Sequence, residues 1–97
     1  MKREDFIFTI GFDGDSAVVD SKAKKKYSSY TTAQLLEEGF FKPALCSAIY
    51  SKNNEEFKAV LEKYNSSTDK PLVSIEQLKL VLGVHRLPEE ITKTVQI

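Results

Sequence analysis

The stretch FIFTIGFDGDSAVVD, residues 6 to 20, constrains the fold more than any other part of the chain. Phe6, Phe8, Ile10 and Phe12 recur at every second residue, the period at which the side chains of an extended strand return to one face. This spacing predicts a strand with three aromatic rings and an isoleucine on one side. Asp13-Gly14 interrupts it, Ala17 and Val19 then share a parity, and a second short strand is expected over 16 to 20. With an Asp13-Gly14 loop, Ile10 faces Ala17 and Phe8 faces Val19. With a loop from Asp13 to Ser16, Phe12 faces Ala17 and Ile10 faces Val19. Both registers bury the same residues. A lone ribbon is marginal in water, so its aromatic face needs a second layer.

The rest of the chain offers helices for that layer. Residues 21 to 31, SKAKKKYSSYT, are polar without a sustained period and read as a connection. Thr31 with Gln34 has the spacing of a capping box and Tyr30 with Leu35 that of a hydrophobic staple, which predicts a helix over 32 to 38 that stops at Gly39. Pro43 suits a first helical position. The helix it opens, over 43 to 51, is apolar around most of its circumference and belongs at the centre. Asn53 with Glu56 repeats the box spacing, and Phe57, Val60, Leu61 and Tyr64 form the clearest amphipathic stripe, over 54 to 64. Asn65 to Pro71 reads as a loop, with Lys70 biased away from helical geometry by the proline that follows it. Ser74 with Gln77 is a third box, Val73 with Leu78 a second staple, and that helix ends at Gly83. Ile91, Lys93, Val95 and Ile97 alternate with polar residues as a C-terminal strand would.

The expected fold is therefore α+β: one compact domain over residues 1 to 97, with a short antiparallel sheet, hairpin plus C-terminal strand, against three or four short helices. A chain of 97 residues can bury roughly 60 to 65% of its unfolded surface in one core. A single cysteine, Cys46, cannot close an internal disulfide. No apolar run reaches the ~18 residues of a membrane span, and MKREDFIFTI lacks a cleavage pattern, so a cytoplasmic setting without membrane attachment is expected. Fourteen basic and fourteen acidic residues cancel, which leaves no overall field to recruit nucleic acid or anionic lipid.

Three groups of residues bear on chemistry. FDGDS superficially has the Asp-x-Asp shape with which haloacid-dehalogenase-type phosphatases begin their site, but that chemistry needs the end of a strand in a parallel sheet and further motifs. Asp-Gly followed directly by a second apolar run instead reads as a hairpin turn. Cys46 and His85 are the only thiol and imidazole. They are one conceivable nucleophile and base, but Cys46 falls inside the most apolar helix, where a thiol is protonated and inert. Lys22, Lys24, Lys25 and Lys26, beside Tyr27 and Tyr30, form the only basic run, with Arg86 and Lys93 as further phosphate-facing candidates.

SIEQLKLVLGVHR, residues 74 to 86, resembles the first helix and turn of a bacterial helix-turn-helix: a capped helix, Leu78 and Leu82 inside, then Leu-Gly-Val. The resemblance implies a second helix beyond residue 86 that enters the major groove. Lys79 stands where that family has a small residue. Pro88, Glu89 and Glu90 stand where its recognition helix offers polar donors. Leu-Gly-Val is also an ordinary helix ending in which Val84 packs back on the last turn.

These observations favour a non-enzymatic interaction module that needs no cofactor, metal or catalytic residue. Its expected partner is another protein or a second copy bound through a sheet edge, because a three-stranded sheet leaves edges open. Nucleic-acid binding through Lys22, Lys24, Lys25, Lys26, Arg86 and Lys93 is the second reading.

Overall fold

A computed structural model describes residues 1–69 and 71–97, and the expectation for Lys70 lies outside them. Among the described residues the order is α1 (Arg3–Ile7), β1 (Thr9–Asp13), β2 (Ser16–Val19), α2 (Ser21–Tyr27), α3 (Thr32–Glu37), α4 (Phe41–Ser51), α5 (Asn54–Ser66), α6 (Ile75–Leu82) and β3 (Lys93–Gln96). The fold is α+β, a three-stranded sheet in the order β1-β2-β3 with six helices rather than three or four.

Both additional helices come from segments read otherwise. The alternation from Phe6 predicted strand, yet Arg3–Ile7 is helical and Phe6, Ile7 and Phe8 are all buried. A helix this short cannot sustain itself; its side chains hold it in place. Arg3 donates to the carbonyls of Ser28 (3.2 Å) and Tyr30 (2.7 Å), and Asp5 pairs with Lys24 at 2.6 Å. The polar connection after β2 begins as α2. Asp20 accepts from the Ala23 N–H (3.1 Å), and Lys24, Lys25 and Lys26 lie in the last turn, where cations suit the helix dipole.

β1 and β2 are antiparallel, as the hairpin required, with Asp13 opposite Ser16 and Phe12 opposite Ala17. The tight loop is therefore Gly14-Asp15, one residue later than Asp13-Gly14, and Gly14 supplies the positive φ of 61° that the turn needs. Phe12 pairs as the longer-loop register expected, but a bulge between Thr9 and Gly11 puts Thr9, not Ile10, opposite Val19. The expected aromatic face is thus broken. Phe6 and Phe8 go into the core while Ile10 and Phe12 remain 56% and 54% exposed.

The C-terminal strand exists but runs parallel to β2, from Ser16 opposite Lys93 to Val19 opposite Gln96, so the sheet is mixed rather than antiparallel. The helical segments between them bring the chain back to the end where β2 began, and a parallel pair requires such a crossover.

α4 sits at the centre, with Ala44, Leu45, Cys46, Ser47 and Ala48 buried. It starts two residues before Pro43, which stands at its third position; the missing N–H still costs nothing among the unpaired donors of a first turn. α3 carries the complete capping box of Thr31 and Gln34. The other two boxes are half formed. Asn53 accepts from the N–H groups of Glu55 and Glu56, but the Glu56 carboxylate turns elsewhere; Ser74 accepts from Gln77, whose own carbonyl takes the Val73 N–H. The Val73–Leu78 staple does not form, because Val73 is exposed and Leu78 buried. α6 ends at Gly83 with φ 72°, and the Gly83 and Val84 N–H groups both return to the Lys79 carbonyl. Val84 is buried, so Leu-Gly-Val is a helix ending. Among the described residues no helix follows it, so the second helix that the helix-turn-helix resemblance implied is not formed.

Candidate functional site

The order β1-β2-β3 leaves β1 and β3 as sheet edges. They differ in their surroundings. β3 is exposed at every residue and begins with Lys93, a charge of the kind that blunts an edge against pairing. β1 borders two apolar grooves. One, of about 400 Å³, is lined by Phe8, Ile10, Ala23, Tyr27, Phe40 and Pro43, among others. Its aromatic wall is ordered by the Tyr27 ring, which meets Phe40 edge-on at 5.0 Å and Phe8 at 6.4 Å. The second, of about 430 Å³, is lined by Phe6, Gly11, Phe12, Cys46, Val84 and Ile91, among others. Thr9 and Lys42 line both, so the grooves adjoin at β1. Their volumes fall in the range of ordinary ligand sites, roughly 300 to 1,000 Å³. The bulge gives one groove Ile10 and the other Phe12; without it the two residues would share one face.

Cys46 and His85 both line the second groove. Burial pushes the Cys46 thiol up from 9.0 to about 12, opposed by a smaller effect of Lys42. No hydrogen bond joins the thiol to the imidazole among the described residues, and a thiol protonated at neutral pH is a poor nucleophile.

The acidic turn is used structurally. The Asp15 carbonyl accepts from the N–H groups of Thr92 (2.9 Å) and Lys93 (3.2 Å), and its carboxylate meets the Thr92 hydroxyl at 3.3 Å. Asp15 thus anchors the start of β3, Asp20 caps α2, and Asp13 is exposed on β1. Among the described residues, no three His, Cys, Asp or Glu side chains are grouped to hold a metal ion.

The six basic candidates do not converge. Lys22, Lys24, Lys25 and Lys26 lie on α2, beside the end of β3, whereas Lys93 lies at its beginning. Lys24 is paired with Asp5, Lys93 lies 4.0 Å from Asp15, and Arg86 is held by both oxygens of Glu90 at 3.0 and 3.1 Å. That pairing lowers the Glu90 carboxyl and raises the Arg86 guanidinium relative to their ordinary values. Tyr27 and Tyr30 are packed against the core and against each other, at 5.0 Å, so neither ring is a free stacking platform.

One polar cluster had no sequence signature. Arg3 donates to the Ser47 hydroxyl (2.9 Å), which lies 2.7 Å from the Thr32 hydroxyl. Thr32 donates to Glu56, and Ser51 donates to the other Glu56 oxygen at 2.9 Å. Thr32 has one proton and gives it to Glu56, so Ser47 must donate to Thr32. The chain runs Arg3 to Ser47 to Thr32 to Glu56 and ties α1, α3, α4 and α5 together. Every hydroxyl proton is committed, which makes the cluster a brace. Glu56 stands at a box position, but its carboxylate goes to Thr32 and Ser51 instead of the Asn53 N–H.

Comparison with protein families, with curated proteins and with solved structures finds no match. Among the described residues no helix is long and apolar enough to cross a membrane.

Proposed function

We propose that this chain is a non-catalytic interaction module that binds an extended segment of another protein along the edge of β1. The observation that carries this reading is the pair of adjoining apolar grooves at that edge, with Ile10 and Phe12 more than half exposed beside them. An added strand hydrogen-bonds to the open backbone, and its alternating side chains need pockets beside the edge. The bulge keeps regular pairing short, so the side-chain grooves must supply most of the affinity.

The test is selection of a random-peptide display library on the immobilised protein, followed by mapping of an enriched peptide by backbone amide shifts. The expected result is a binder that shifts Ile10, Gly11 and Phe12 and slows hydrogen exchange along β1. Binders that map elsewhere, or an absence of enriched binders, would overturn the proposal. Self-association through β1, seen by sedimentation and by the same amide shifts, would overturn the choice of a foreign segment in favour of a second copy.

A second reading keeps nucleic acid as the partner. It is favoured by Lys22, Lys25 and Lys26, which fall at i, i+3 and i+4 on one turn of α2 with no ion pair recorded among the described residues. Binding of a single-stranded oligonucleotide with a steep salt dependence would support it.

A further inference from the structure

We infer that the segment received at β1 is acidic as well as apolar, with a carboxylate set against Lys42 beside its apolar side chains. This inference rests on the strand-addition reading above and adds to it the chemistry of the partner.

Its basis is the balance of charge around the two grooves. Lys42 is the residue, with Thr9, that both grooves share. It is exposed, and no ion pair is recorded for it among the described residues. The acidic side chains on the groove walls already have partners: Asp20 caps α2 through the Ala23 N–H, and Glu90 is bound by Arg86. The first groove is also bounded by α2, through Ala23 and Tyr27, and α2 carries the exposed Lys22, Lys25 and Lys26. Within the linings of the two grooves a ligand therefore meets Lys42 without an unpartnered carboxylate, while Asp13 stands exposed at the end of β1, outside both linings.

Lys42 stands where the grooves adjoin, so the acidic side chain lies beside the apolar ones that enter them, on the face to which an added strand returns every second residue. A carboxylate beside apolar walls is partly withdrawn from water, which strengthens its hydrogen bond to an ammonium group.

The experiment measures affinity by fluorescence anisotropy for a labelled peptide enriched in the library selection. That peptide is compared with two versions in which its acidic residue becomes the amide or lysine. Each is measured on the unaltered protein and on Lys42→Glu, Lys42→Met and Lys93→Glu. Lys42 is exposed near the N-terminus of α4, where a glutamate suits the helix dipole, and thermal unfolding verifies that each variant folds. The expected result is an acidic residue in the enriched sequences and a loss of about tenfold in affinity for either peptide change or either Lys42 variant. The lysine peptide should regain affinity on Lys42→Glu, while Lys93→Glu leaves the parent peptide's affinity unchanged.

Enriched peptides that shift β1 but carry no acidic residue, or that bind the Lys42 variants unchanged, would overturn this inference and leave strand addition standing. Peptides that do not map to β1 would overturn both.

Discussion

The helical side of the molecule and the edge of its sheet treat apolar side chains in opposite ways. Around α4, Leu35, Leu45 and Val60 are withdrawn completely from solvent. The polar groups that enter there are joined from Arg3 to Glu56. Among the described residues, no buried side-chain nitrogen or oxygen lacks a partner. At β1, Ile10 and Phe12 are of similar size and stand more than half in water. The chain closes its own core between helices and leaves apolar surface uncovered at β1. Such surface adds little to stability and is available to a partner.

The largest effect that could break this contrast is truncation. Leu45→Ala should cost about 2 to 5 kcal/mol and Phe12→Ala less than about 1, both read from urea denaturation. Equal losses would mean that the edge is as tightly packed as the core.

The next effect appears at alkaline pH. The Cys46 thiol is raised to about 12 in the folded chain from 9.0, so the unfolded chain loses this proton first as pH rises. The contribution of Cys46 to stability is full below pH 9 and is lost between about 9 and 12. The slope reaches about 1.4 kcal/mol per pH unit. Cys46→Ala should remove that part of the dependence, and iodoacetamide at pH 8 should label the unfolded chain but not the native one.

The brace provides a third test. Glu56→Ala leaves the Thr32 hydroxyl without its acceptor, while Ser51 keeps the Ala48 carbonyl at 3.2 Å, and should cost about 1 to 3 kcal/mol by thermal unfolding. Glu56→Gln keeps an acceptor oxygen and should recover part of the loss. Asn53→Ala, which removes the cap of α5, should cost about 1 kcal/mol by the same measurement. The smallest effect sharpens the contrast from the other side. Leu80 is largely exposed on α6, and Leu80→Gln should change stability by less than about 0.5 kcal/mol.

What was legible in the sequence follows the range of the interaction. The Thr31–Gln34 box, the stop at Gly39 and the helix ending at Gly83 and Val84 each depend on atoms a few residues apart, and all three are present. The stripe of Phe57, Val60, Leu61 and Tyr64 also predicted its helix. α2 was missed because four lysines masked the pair Ala23 and Tyr27, which share a face one turn apart and pack on the core. α1 was missed because it depends on contacts with residues 24 to 47, far along the chain. Of the candidate site, the exposed-edge idea could be drawn from a three-stranded sheet, but the grooves and the position of Lys42 could not.

By itself, then, the sequence determined the α+β class, the hairpin, the central apolar helix and the local caps, because periodicity and capping are properties of neighbouring residues. Tertiary structure alone decided the parallel docking of β3, the bulge that parts Ile10 from Phe12, and the meeting of two grooves at Lys42. Each of these depends on how distant segments share one core, and no local pattern encodes that division of space.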